Sequence, residues 1–137
     1  VGSIFRTADA VRLEKLYLTG ITGSPPRKEI DKTALGAVET VPWEYHKDAI
    51  PLMNNLKAQG IKIVALEHTS NSQSYQEFTP EFPVCLVVGN EGSGLRPLVK
   101  RHCDVLVSIP MVGEIDSLNS SVAAAVILFE MLRQSLD

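Results

Sequence analysis

Val84-Cys85-Leu86-Val87-Val88-Gly89-Asn90-Glu91-Gly92-Ser93-Gly94-Leu95 decides the fold class of this chain. Its five leading apolar residues form the continuous pattern of a strand covered on both faces of a parallel sheet. Glycines at 89, 92 and 94 end the strand, and Leu95 to His102 reads as a helix behind them. Strand, glycine turn and helix in that order build an open α/β sheet, which binds ligands beyond its strand ends. Two readings of the turn stand: a bend that needs glycine for positive φ, or backbone approaching a nucleotide. The sequence holds neither a GxGxxG fingerprint nor a GxxxxGK[ST] phosphate loop.

The same alternation repeats on either side. Ile4, Ala8 and Val11 recur at helical spacing through Ser3–Arg12, which predicts a short amphipathic helix with Arg6 and Asp9 off its apolar stripe. Leu16–Gly20 reads as a strand, Gly20–Pro26 as a loop and Lys28–Leu35 as a short helix. Pro42 makes Thr40–Tyr45 an edge strand. Lys47–Gln59 reads as a helix closed by Gly60, Ile61–Leu66 as a strand, and the polar His68–Ser74 as a loop. Val105–Ile109 is a further apolar strand, and Ser120–Gln134 a closing helix. The prediction is a single α/β domain over residues 1–137, with a mostly parallel sheet flanked by helices.

The closing helix is unusual, because Ser117–Phe129 carries no charge and Val122–Phe129 is apolar on every side. A helix with no polar face is buried all round. In a chain of 137 residues that calls for a partner subunit or an unusually enclosed position.

No apolar run reaches the roughly 18 residues that a membrane span requires, and no export signal is visible. Cys85 and Cys103 lie in or beside apolar segments without metal-ligand spacing, which reads as reduced thiols in a cytoplasmic protein. His46, His68 and His102 share no ligand spacing either, so no metal is expected. Trp43 and Tyr45 read as packing residues rather than as platforms for a base. A net charge of −3 argues mildly against a nucleic-acid partner. That charge is uneven: residues 1–62 hold nine Lys/Arg against seven Asp/Glu, and residues 63–137 four against nine. An RNA footprint would therefore favour Arg6, Arg12, Lys15, Arg27, Lys28 and Lys32, each of which, taken alone, reads equally well as a solvated surface charge.

Just before the closing helix stand Asp116, Ser117, Asn119, Ser120 and Ser121, all favoured N-cap types. One cap needs one side chain, so the surplus suggests polar groups aimed at a ligand or substrate.

Three segments taken together resemble the motifs of the SpoU (TrmH-like) family of RNA 2′-O-ribose methyltransferases, within the SPOUT superfamily. They are Val1-Gly2-Ser3-Ile4-Phe5-Arg6-Thr7-Ala8, Val88-Gly89-Asn90-Glu91-Gly92-Ser93-Gly94-Leu95, and Ile109-Pro110-Met111-Val112-Gly113-Glu114-Ile115-Asp116-Ser117-Leu118-Asn119-Ser120-Ser121-Val122-Ala123. They run in order over nearly the whole chain. The resemblance implies a C-terminal deep trefoil knot, S-adenosyl-methionine as the only cofactor, an RNA substrate (tRNA or rRNA) and a homodimer built through the knot region. It implies cofactor contacts at Gly89, Ile109, Met111, Gly113 and Leu118, and functional polar groups at Arg6, Glu91, Ser117 and Asn119. A guanidinium keeps its proton in proteins, so Arg6 is expected to anchor phosphate and stabilise charge rather than act as a base. Ser117 and Asn119 are expected to orient Arg6 or the ribose, and Glu91 to order the glycine turn or the active site. The family also places an Asn and a strand ahead of the position of Val1, so the N-terminal strand is expected to be missing here. The alternative is a non-catalytic RNA-binding or assembly protein that retains the fold.

Overall fold

The computed structural model describes residues 2–20, 34–67, 72–89, 94–113 and 119–136. The chain divides into two compact units, residues 1–49 and 50–137.

In the first unit, helix α1 (Gly2–Ala10) precedes strand β1 (Leu16–Thr19), the single-turn helix α2 (Ala37–Thr40) and strand β2 (Trp43–His46). The strands pair in parallel, from Leu16 opposite Trp43 to Thr19 opposite His46. Pro42, which has no N–H to give, stands just ahead of β2, and its carbonyl accepts the Leu16 N–H at 2.9 Å. The core joins Phe5 and Ala8 to Leu18, Ala34, Ala37 and Val41, with Leu16 and Trp43 packed against it. The α1 stripe is thus Gly2, Phe5, Ala8 and Val11, and Ile4 is only half-buried. Both registers satisfy a 3.6-residue period, and the choice falls to the one that buries the larger aromatic side chain. Trp43 packs as the sequence suggests, while the Tyr45 hydroxyl donates to the Gly20 carbonyl. Polar side chains of the two strands also meet: Glu44 accepts from Lys15 at 2.6 Å and pairs with His46 at 2.9 Å. These bonds, the one from Lys15 foremost, hold the Glu44 carboxyl below its ordinary range.

The second unit comprises helix α3 (Ala49–Ala58), which begins at its boundary, strands β3 (Lys62–Leu66), β4 (Gln73–Ser74) and β5 (Val84–Val87), helix α4 (Pro97–Arg101), strand β6 (Val105–Ser108) and helix α5 (Ser120–Ser135). Its sheet runs in the order β4-β6-β3-β5, every neighbouring pair parallel. The central strand is β3, whose Ile63, Val64 and Ala65 are wholly buried. Val64 and Val107 pack with Ile127 and Met131 of α5, so that helix covers one face. The Asp104 carboxylate accepts the Ile63 N–H at 2.8 Å, which ties the loop before β6 to the start of β3.

Two expectations change here. The apolar run Val84–Val88 is half-buried throughout rather than covered on both faces, and among the described residues β5 is the outermost strand of this sheet. An apolar sequence signals burial but does not say which strand lies in the middle. Helix α5 buries Ala123, Ala124, Ile127 and Met131, yet leaves Val122 51% and Phe129 50% exposed. It is therefore not enclosed on every side within the chain. The short elements α2 and β4 have no periodic signature, since each spans one turn or one bridge pair. The helix expected at Lys28–Leu35 falls largely outside the described residues.

Cys85 and Cys103 are free thiols, each pushed up to about 11 by burial. Among the described residues no helix is long and apolar enough to cross a membrane, and no cluster of His, Cys, Asp or Glu could hold a metal ion.

Candidate functional site

Strands β5 and β6 flank β3 on opposite sides, with Ala65 facing both Val87 and Leu106 in register. Neighbouring strands lie about 4.8 Å apart, so the segments leaving β5 and β6 emerge roughly 10 Å from each other, on either side of Glu67. This is the carboxyl end of a parallel sheet, where such folds gather their ligands.

The segment leaving β5 closes on itself. A Cβ placed on Gly89 would stand 2.4 Å from the Gly94 carbonyl carbon, 2.6 Å from its oxygen and 2.7 Å from the Leu95 nitrogen. All three are backbone atoms, so only a residue without a side chain fits. Gly94 itself has φ +67°, the left-handed region that glycine enters without strain. Leu95 is buried, and its N–H donates to Glu67 Oε2 at 3.2 Å. Both readings of the glycine turn are therefore compatible with its geometry: it is sterically obligatory, and it lies where a ligand would lie. Glu91 is outside the described residues.

The segment leaving β6 keeps Ile109 half-buried against the α5-facing core, with Met111 half-buried and Gly113 exposed. A Cβ on Gly113 would meet nothing within 4 Å among the described residues. Ser117 and Leu118 lie outside the described residues. Asn119 is the N-cap of α5: its Oδ1 accepts the Ser121 N–H at 2.9 Å, the Val122 N–H at 3.4 Å and the Ser121 hydroxyl at 2.6 Å. Among the described candidates Asn119 is the cap and the Ser121 hydroxyl is bonded to it, while Asp116 and Ser117 lie outside the described residues.

Arg6 projects from α1 in the first unit, exposed, and makes no ion pair with another described residue. Sequence reasoning missed Glu67. A single acid after an apolar strand carries no pattern of its own, and its contact lies 28 residues away.

Of the nine residues singled out from the sequence, Gly89, Ile109, Met111 and Gly113 leave the sheet at its carboxyl end and Asn119 caps the helix that covers one face. Among the described residues, what they share is the carboxyl end of one parallel sheet, with the Glu67 carboxylate between the two departing segments.

Comparison with known proteins matches the same segments. The model of the SpoU rRNA Methylase family covers residues 1–129. The 23S rRNA (guanosine-2′-O-)-methyltransferase RlmB of Neisseria meningitidis serogroup B is 37% identical over 134 residues, 98% of this chain and 53% of that protein. Among solved structures, the A. aeolicus TrmH/SpoU tRNA modifying enzyme superposes with a TM-score of 0.89 at 32% identity, over 98% of this chain and 68% of that one. The SpoU methyltransferase AviRb from Streptomyces viridochromogenes, solved in complex with AdoMet, gives 0.91 at 29% identity, over 98% and 55%. The chain spans about half the length of the curated relatives it matches. On a family match that takes in all three motif segments, this chain belongs to the SpoU rRNA methylase family.

Proposed function

We propose that this chain is the methyl-transferring part of an S-adenosyl-methionine-dependent enzyme that methylates a ribose 2′-hydroxyl in tRNA or rRNA. The observation that carries the reading is the pair of segments flanking Glu67: the glycine turn at Gly89–Leu95 and the apolar exit of β6 at Ile109–Met111. Both end strands of one parallel sheet, and both lie in segments matched by the family. The residues fit the cofactor, since an adenosine wants an apolar slot with backbone donors and acceptors at its edge. Gly89, Ile109, Met111, Gly113 and Leu118 would hold it. When bound, S-adenosyl-methionine supplies an electrophilic methyl carbon for the ribose oxygen.

Arg6 holds the RNA phosphate beside the target ribose and balances charge there, because a fixed guanidinium matches phosphate geometry. Ser117 and Asn119 orient the ribose, and Glu91 orders the knot loop. Asn119 also caps α5, so catalytic and structural demands meet in one side chain. A tRNA or rRNA substrate sets the reaction in the cytoplasm.

Two further features belong to the same reading. A trefoil knot rests on the family resemblance of the two segments that follow β5 and β6. A homodimer is supported by Val122 and Phe129, both half-exposed and seven residues apart on one face of α5.

Two measurements test the function. Calorimetry should detect S-adenosyl-methionine or S-adenosyl-homocysteine binding, and labelled methyl groups should pass from cofactor into bulk tRNA or rRNA. Failure of a folded protein to bind either compound at millimolar concentration overturns the enzyme reading. Binding without transfer favours the non-catalytic alternative.

A further inference from the structure

Glu67 is the first residue beyond β3, at the point where the candidate cofactor segments diverge. Its backbone N–H donates to the Val107 carbonyl at 2.9 Å, which fastens it to β6. Its side chain turns the other way, toward the glycine turn after β5. Oε2 accepts the Leu95 N–H at 3.2 Å, and a Cβ on Gly94 would stand 3.2 Å from Oε2 and 3.4 Å from Oε1. The carboxylate therefore lies against one flank of Gly94, while Gly89 presses on the backbone of the same residue. Glu67 is half-buried, and among the described residues it forms no ion pair. Partial burial of an acid is costly unless it is hydrogen-bonded, and the Leu95 N–H supplies such a bond. A charged acceptor makes that bond roughly twice as strong as a neutral one.

We propose that Glu67 is a positioning residue. It locks Gly94 and Leu95 in the conformation that closes the turn on Gly89, and by doing so it sets the affinity for the adenosine-bearing cofactor. The inference rests on the methyltransferase reading for its ligand, but the locking of the turn stands apart from any ligand. One residue links all three strand ends: it directly follows β3, its backbone N–H bonds β6, and its carboxylate accepts from the segment after β5.

The test uses the whole chain with Glu67→Ala and Glu67→Gln, read without and with ligand. In the ligand-free protein, amide exchange at Leu95 should speed up at least tenfold in Glu67→Ala. Far-UV circular dichroism should stay at the parental level. Calorimetric affinity for S-adenosyl-homocysteine should weaken about tenfold to a hundredfold, the range expected on losing a bond to a charged group. Glu67→Gln keeps a neutral acceptor and should recover part of both effects, landing about threefold to tenfold weaker than the parent. Parental exchange at Leu95 together with parental affinity in Glu67→Ala overturns the proposal while leaving the methyltransferase reading intact. A parent that binds no S-adenosyl-homocysteine overturns that reading, and the cofactor half of this proposal with it. If Glu67→Ala does not fold, Glu67→Gln decides: parental values in both readouts refute the positioning role, and intermediate ones support it.

Discussion

Gly89 lies against the backbone of Gly94 so closely that a single added carbon would come within 2.4 Å of the Gly94 carbonyl carbon. Neither partner can yield by rotating a side chain, because the contact is backbone on backbone. Gly89→Ala should therefore force the turn open. Overpacking of this kind costs about 1–3 kcal/mol, and S-adenosyl-homocysteine affinity should fall more than tenfold. Gly113→Ala is the control, since a Cβ there meets nothing. It should melt like the parent and affect binding only through contact with the ligand. Urea denaturation and calorimetry on both variants check the pair, and an unperturbed Gly89→Ala would remove the steric basis of the site.

Arg6 and Asn119 separate two kinds of contribution. Arg6 is exposed on α1, and an exposed Arg→Ala change shifts stability by less than about 0.5 kcal/mol. Losing a preorganised charge at a reacting centre lowers the rate by roughly a hundredfold to a thousandfold. Arg6→Ala should thus melt and bind cofactor like the parent, while methyl transfer to the true RNA drops at least tenfold. Asn119→Ala removes the cap of α5 and should cost about 1 kcal/mol, so its rate must be compared at matched folded fraction. Parental turnover by Arg6→Ala would make that arginine a surface residue.

Arg12 follows α1 in the left-handed region at φ 56°, where the Leu13 N–H reaches the Ala8 carbonyl at 2.9 Å and the Arg12 N–H reaches Asp9 at 3.1 Å. This is the paired bonding of a Schellman end, whose left-handed position normally belongs to glycine. The conformation costs a residue with a Cβ about 1–2 kcal/mol. Glycine's greater freedom in the unfolded chain offsets about 0.5–1 kcal/mol of that. Arg12→Gly should then raise stability by about 0.5–1 kcal/mol, seen as a higher urea midpoint at unchanged slope. If the basic footprint of the first unit contacts RNA, the same variant binds RNA more weakly, most clearly at low salt.

The half-exposed pair Val122 and Phe129 tests the homodimer. Both point away from the buried Ala123, Ala124, Ile127 and Met131, so a charge there should not disturb the chain's own core. Phe129→Glu should shift sedimentation from dimer to monomer at micromolar concentration with helicity unchanged. A parent that sediments as a monomer refutes the interface.

Strand, glycine turn and helix around Val84–Leu95 were legible because they are contiguous and because their signals, apolar runs and glycines, act over a few residues. Boundaries of α3, β3, β6 and α5 fall within two residues of the sequence expectation for the same reason. The register of α1 was not legible: Ile4 and Phe5 both fit a helical period, and only the presence of Leu18, Ala37 and Val41 on the facing elements selects Phe5. Among five cap candidates, local chemistry could not choose Asn119 either, since each could cap a helix starting one residue after it.

Residues adjacent along the chain encode the α/β class and the family motifs, and they mark the glycines after β5 without fixing why glycine is required there. Strand order placed β3 in the centre, and the fold left a stripe of α5 uncovered and brought the Glu67 carboxylate to the Leu95 N–H. Those facts depend on contacts between residues far apart in sequence, such as Glu67 with Leu95, whose pairing is fixed by strand order and register and leaves no local mark.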